Sequence, residues 1–76
     1  MSAWAIVERQ SCVLLVQRGE KNSRPEQWCF PGGKVKQKET EMAACIREVK
    51  EETGLDVEIS KLVATIDDRH YFLCVL

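Results

Sequence analysis

The stretch from Thr40 to Gly54 constrains this chain more than any other, because both ends of a helix are marked in it. Thr40 can accept a hydrogen bond from the first free backbone N–H groups, and Glu41 suits the positive first turn. Gly54 is placed to adopt the left-handed conformation that stops a helix. A helix is therefore expected over residues 41–53. Met42, Ile46, Val49 and Thr53 then fall at i, i+4, i+7 and i+11, one apolar stripe. Glu48, Glu51 and Glu52 lie at i, i+3 and i+4, within roughly 100° of arc. Carboxylates this close repel one another unless a cation lies between them. Hard divalent cations such as Mg²⁺ prefer oxygen ligands of this kind. Arg47 stands four residues before Glu51 and can orient that carboxylate. Taken alone, the three glutamates also fit a solvated acidic face.

Around the helix the pattern is mostly extended. Residues 3–8 and 12–17 are apolar and β-branched enough for two strands, with residues 9–11 as a hairpin connection. Residues 18–27 are polar and punctuated by Gly19, Asn22, Ser23 and Pro25, which reads as a loop. Trp28, Cys29 and Phe30 make a short apolar burst, and Pro31-Gly32-Gly33 is expected to break any regular element. Lys34 to Glu39 is a charged connection. Beyond Gly54, residues 55–66 look extended, residues 67–69 are a turn candidate, and residues 70–76 form a last apolar strand. The order is β-β-loop-α-β-β, an α/β class. The last strand stops inside an apolar run and is expected to offer a sticky edge for self-association.

Adjacent glycines let a backbone approach a phosphate or metal closely. Gly32-Gly33-Lys34 is not a Walker loop, which needs a different spacing. Its position relative to the helix carries more. Gly33 is followed after five residues by Glu39, then after seven by Arg47-Glu48-Val49-Lys50-Glu51-Glu52-Thr53-Gly54-Leu55. This resembles the Nudix box, G-x5-E-x7-R-E-U-x-E-E-x-G-U with U a bulky aliphatic residue, and every specified position matches over residues 33–55. Seven fixed residues at ordinary frequencies coincide on the order of once in a billion start positions. Residues 28–34 are similar to the usual lead-in of that family, and Asp68-Arg69-His70 is similar to its mutator-type nucleoside-triphosphate hydrolases.

The resemblance implies a mixed β-sheet with the Nudix helix packed on it, a truncated α/β/α sandwich covering residues 1–76 as the N-terminal part of a family domain. It implies hydrolysis of a pyrophosphate linkage in a nucleoside triphosphate or another nucleoside diphosphate derivative, with Mg²⁺ or Mn²⁺. Glu48, Glu51 and Glu52 would hold the metal, one of them also helping to activate water. Gly32 would add its carbonyl, Glu39 would support the cluster from outside, and Arg47 would orient a glutamate. Arg18, Arg24 and Lys34 flank the glycine turn and are candidate phosphate contacts. Trp28 and Phe30 would stack on a base or pack in the core. His70 is read as a turn or strand residue. The alternative is a catalytically weak or inactive nucleotide-binding or interaction module, because further family strands, a second helix and a loop that often adds a glutamate are not matched.

Composition narrows the partners. The chain has 76 residues, 45% hydrophobic and 30% charged, with a net charge of −1. That balance gives no long-range pull toward a nucleic acid polymer or an acidic membrane. The apolar run Val13-Leu14-Leu15-Val16 is far too short to span a bilayer. The first eight residues lack the pattern of a signal peptide, so cytoplasm is the default. Cys12, Cys29, Cys45 and Cys74 make no C-x-x-C pair, and Cys12, Cys45 and Cys74 lie in apolar stretches. They are expected to be reduced, buried thiols rather than zinc ligands or disulfides.

Overall fold

In a computed structural model, residues 1–17 and 27–76 are described. The longest strand on the N-terminal side is β1 (Ser2–Arg9). A two-residue turn follows, in which Gln10 and Ser11 both take positive φ, of 52° and 64°. That geometry matches the twist of a tight hairpin. The returning strand β2 is short (Cys12–Val13), with Arg9 opposite Cys12. The expected strand over residues 12–17 is thus split. Leu14 still bonds back to the Val7 carbonyl at 2.9 Å. Val16–Gln17 then departs as β3 and pairs antiparallel with β4 (Trp28–Cys29) in a separate small sheet.

A second departure lies at the glycines. Gly32–Lys34 does not break the chain but forms a strand, β5, antiparallel to the start of β1. A Cβ on Gly32 would strike Trp4 atoms at 2.7 Å. Only a bare glycine backbone lies this flat against β1. The Ala5 N–H bonds to the Pro31 carbonyl at 2.8 Å, and the Val35 N–H to the Met1 carbonyl at 3.0 Å, extending the contact at both ends.

The helix α1 runs over Glu41–Thr53, as the sequence pattern predicts. The Thr40 hydroxyl accepts from the Ala43 N–H at 3.1 Å. Gly54 stops it at φ 79°, its N–H bonded to the Lys50 carbonyl. The buried face differs from the expected stripe. Ala44, Cys45 and Val49 are fully buried, whereas Met42 is 51% exposed and Ile46 37%. The helix is rotated toward its small residues, which face Ala3 and Ala5 of β1. Small side chains on both sides let helix and sheet approach closely.

Beyond the helix, β6 (Glu58–Ile66) and β7 (Arg69–Val75) form a hairpin closed by Asp67 and Asp68. Irregularities in the register fall between Ile59 and Lys61 and between Leu62 and Ala64. β7 lies between β6, antiparallel, and β1, parallel, so the main sheet runs β2-β1-β7-β6 with β5 also on β1. This corrects the expected sticky edge. Both sides of the C-terminal strand are paired, and the edge is β6. The architecture is an α/β mixed sheet with one helix on one face. Its core joins Ala3, Ala5 and Val7 to Ala44, Cys45, Val49, Val57, Phe72 and Cys74. Cys12 is exposed and Cys29 only half-buried, so just two of the four cysteines behave as core thiols. Among the described residues no helix is long and apolar enough to cross a membrane.

Candidate functional site

The glycine strand and the last turns of α1 meet at the mouth of a cavity of about 670 Å³. Gly32, Gly33, Lys34, Glu48 and Glu52 form one wall, and Ser2, Trp4, Val16, Gln17 and Cys29 the rest. The Gly32 N–H donates to Glu52 Oε1 at 3.1 Å. A Cβ on Gly33 would overlap the Glu48 carboxylate. The helix and the glycine strand therefore touch through a carboxylate and bare backbone, with no room for a side chain between them.

Glu48 and Glu52 sit one helical turn apart on the same wall of the cavity, Glu52 against the Gly32 N–H and Glu48 against Gly33. Burial of the carboxyl, then the neighbouring Glu48 side chain, push Glu52 up to about 7, although the Gly32 N–H pulls the other way. Glu52 is exposed as a residue; its carboxyl end is what is tucked in.

Arg47 gathers the other carboxylates. Its Nε and Nη2 donate to the two oxygens of Glu39 at 2.7 and 3.0 Å. Its Nη1 donates to Glu48 at 2.8 Å and to Glu51 at 3.1 Å, and Nη2 also reaches the Lys34 carbonyl at 3.1 Å. The guanidinium thus ties helix, glycine strand and connecting loop together. The Arg47 bonds, then the Lys36 N–H, hold Glu39 down at about 2. Of the three helix glutamates, Glu48 and Glu52 line the cavity, while Glu51 is 53% exposed and turned to Arg47. Among the described residues no three His, Cys, Asp or Glu side chains are gathered closely enough to hold a metal as they stand.

Lys34 is exposed on the cavity wall. Arg18 and Arg24 lie outside the described residues. A second hollow of about 250 Å³ adjoins the first, sharing Trp4 and Cys29. It is lined by Trp28, 64% exposed, and by Phe30, Tyr71 and Arg69. Phe30 packs edge-on against Tyr71 with centroids 6.4 Å apart. Trp28 and Phe30 are thus divided between an open wall and a packed ring. His70 is near Thr65, at 3.2 Å, away from the carboxylates. Sequence reasoning missed Trp4 and Ser2. Trp4 alternates with Ala3 and Ala5 and so had to face away from the core, and its indole N–H donates to the Ser2 hydroxyl at 2.8 Å.

Comparison with known proteins places this geometry in a family. The NUDIX domain model matches residues 1–75. The CTP pyrophosphohydrolase of Escherichia coli is 38% identical over 61 residues, which cover 80% of this chain and 45% of that protein. The 8-oxo-dGTP diphosphatase of Proteus vulgaris is 36% identical over 77 residues, covering 96% of this chain and 69% of that protein. The crystal structure of an ADP-ribose pyrophosphatase from Streptococcus suis superposes with a TM-score of 0.87 at 30% identity, over 99% of this chain and 58% of that one. The chain therefore spans roughly half to two thirds of the relatives it matches, and with its glycine strand set against a carboxylate-bearing helix it belongs to the NUDIX domain family.

Proposed function

We propose that this chain hydrolyses a pyrophosphate linkage in a nucleoside triphosphate, with Mg²⁺ or Mn²⁺ held at Glu48 and Glu52. The observation that carries the reading is that two carboxyl groups of one helix face lie against the bare backbone of Gly32 and Gly33 at the cavity wall. The donor set suits a hard cation: carboxylate oxygens from one helix face, with backbone close by and no side chain in the way. Once bound, such a metal lowers the pKa of water and neutralises charge on a phosphate. The chain's own part is placement. Arg47 holds Glu48 and Glu51 in position and keeps Glu39 ionised nearby. Glu51, exposed and bonded to Arg47, would supply a further carboxylate to the metal. Lys34 takes a phosphate oxygen at the cavity wall. Trp4 and the Trp28 hollow give a planar base an aromatic surface beside the phosphates. The E. coli and Proteus relatives, named for nucleoside triphosphate substrates, support this substrate class.

A second reading, a nucleotide-binding module without turnover, draws on Glu51 facing Arg47 rather than its fellow glutamates. Glu52→Gln separates the two. With Mn²⁺ and a panel of nucleoside triphosphates, the enzyme reading expects release of phosphate or pyrophosphate to fall by about 100-fold or more, with the helical circular dichroism intact. Retained nucleotide binding with no turnover in either form would favour the module.

A further inference from the structure

Cys45 and Cys74 have no part in the site, yet their sulfurs lie 3.8 Å apart in the core. Cys45 is 0% exposed on α1 and Cys74 1% exposed on β7. Ala3, Ala5 and Ala44, all fully buried, bring helix and sheet close at this point. We propose that Cys45 and Cys74 form an intramolecular disulfide under oxidising conditions, a covalent staple between the carboxylate-bearing helix and the central strand. A disulfide bond is about 2 Å long, so the sulfurs must close by slightly under ~2 Å. Rotation about the side-chain bonds and a small settling of the helix onto its alanine face supply this movement.

The burial sets how the bond forms. The Cys74 contact, then burial, push the Cys45 thiol upward, while the Cys45 contact draws Cys74 the other way, so Cys45 stays a neutral, unsolvated thiol. Such thiols are inert in the closed core. Oxidation therefore passes through a transient opening of the helix from the sheet. With glutathione disulfide as oxidant, the thiolate of one cysteine attacks a glutathione sulfur and expels one glutathione thiolate. The second cysteine, deprotonated in the open state, then attacks the mixed disulfide and expels the other. Two protein thiols lose two protons and two electrons, and one glutathione disulfide becomes two glutathiones. On reclosing, the staple closes a loop of about 30 residues, which limits the unfolded chain more than the folded one.

The test uses the unaltered 76-residue chain, incubated with glutathione disulfide, alkylated in denaturant and mapped by protease and mass spectrometry. The expected product is a peptide pair joined through Cys45 and Cys74 and lighter by two hydrogens. Its melting temperature is expected to rise by on the order of 10 °C, reversed by dithiothreitol. Formation should accelerate several-fold in sub-denaturing urea, whereas glutathionylation of exposed Cys12 should not. Cys45→Ala should abolish the reducible gain and Cys12→Ser should leave it. Recovery of Cys45 and Cys74 as alkylated thiols after Cys12 has reacted would overturn the proposal, as would a joined product that melts lower than the reduced chain. The map on the unaltered chain decides even if Cys45→Ala does not fold.

Discussion

Glu52 and Glu39 respond to pH in opposite directions, although they belong to one cluster. The folded chain raises Glu52 from the usual 4.5 to about 7, so it binds a proton more tightly folded than unfolded. Its contribution is complete below about 4.5 and is lost as pH rises through 7. Glu39 is lowered to about 2, so its contribution is present above 4.5 and lost as pH falls toward 2. We therefore expect the metal-free chain to melt highest near pH 5. Mn²⁺ should raise the melting temperature more at pH 7.5 than at pH 5, because at the lower pH the cation competes with a proton on Glu52. Calorimetric scans at both pH values check this, and an equal gain at each would count against it. Arg47 contacts Glu39, Glu48, Glu51 and the Lys34 carbonyl. Its replacement by alanine should lower Mn²⁺ affinity by roughly 10- to 100-fold, the usual cost of losing a group that orients metal ligands. Glu48, Glu51, Glu52 and Arg47 could be found in the sequence because the helix fixes their spacing, and Glu39 only through the box it completes. Which glutamates would face the glycine strand could not, since that depends on where the strand crosses.

The helix was the most legible element, because its stops are local chemistry: the Thr40 hydroxyl on the Ala43 N–H and Gly54 at φ 79°. Gly54→Ala meets no atoms within 4 Å, so only backbone strain opposes it. We expect it to cost about 1 kcal/mol, read from urea unfolding. The glycine strand was the least legible. Pro31-Gly32-Gly33 carries the local signature of a break, and only pairing with distant Ser2–Trp4 turns Gly32–Lys34 into β5. Its functional consequence differs from that of the cap. Gly33→Ala places a methyl group in the Glu48 carboxylate. It should weaken Mn²⁺ binding by about 10-fold or more while lowering the melting temperature little, because the end of the flexible Glu48 side chain can swing aside. The apolar stripe was misplaced for a related reason. Periodicity marks Met42 and Ile46, but closeness to Ala3 and Ala5 favours Ala44 and Cys45 in the interface.

At the scale of the whole molecule, one small core holds the sheet and the helix together. Val49 is the largest fully buried side chain, and Phe72 is the only aromatic ring among the core residues described. A core this slight leaves little margin. Val49→Ala should cost about 2–3 kcal/mol and lower the melting temperature by on the order of 10 °C or more. The parallel pairing of β1 with β7 was beyond sequence reading, because it joins Ser2–Val7 to Arg69–Cys74 across nearly the full chain length. That pairing places β7 in the middle of the sheet and removes the expected sticky edge. It also sets β1 under the helix, which fixes the glycine strand against Glu48 and Glu52. The proposed hydrolysis requires that juncture to take up a divalent ion. Titrating Mn²⁺ into the isotope-labelled chain and following amide broadening by NMR tests it most directly. The expected result is saturable broadening centred on Gly32, Gly33, Glu48 and Glu52 that Glu48→Gln weakens. Broadening centred instead on Asp67 and Asp68, or none at millimolar Mn²⁺, would contradict it.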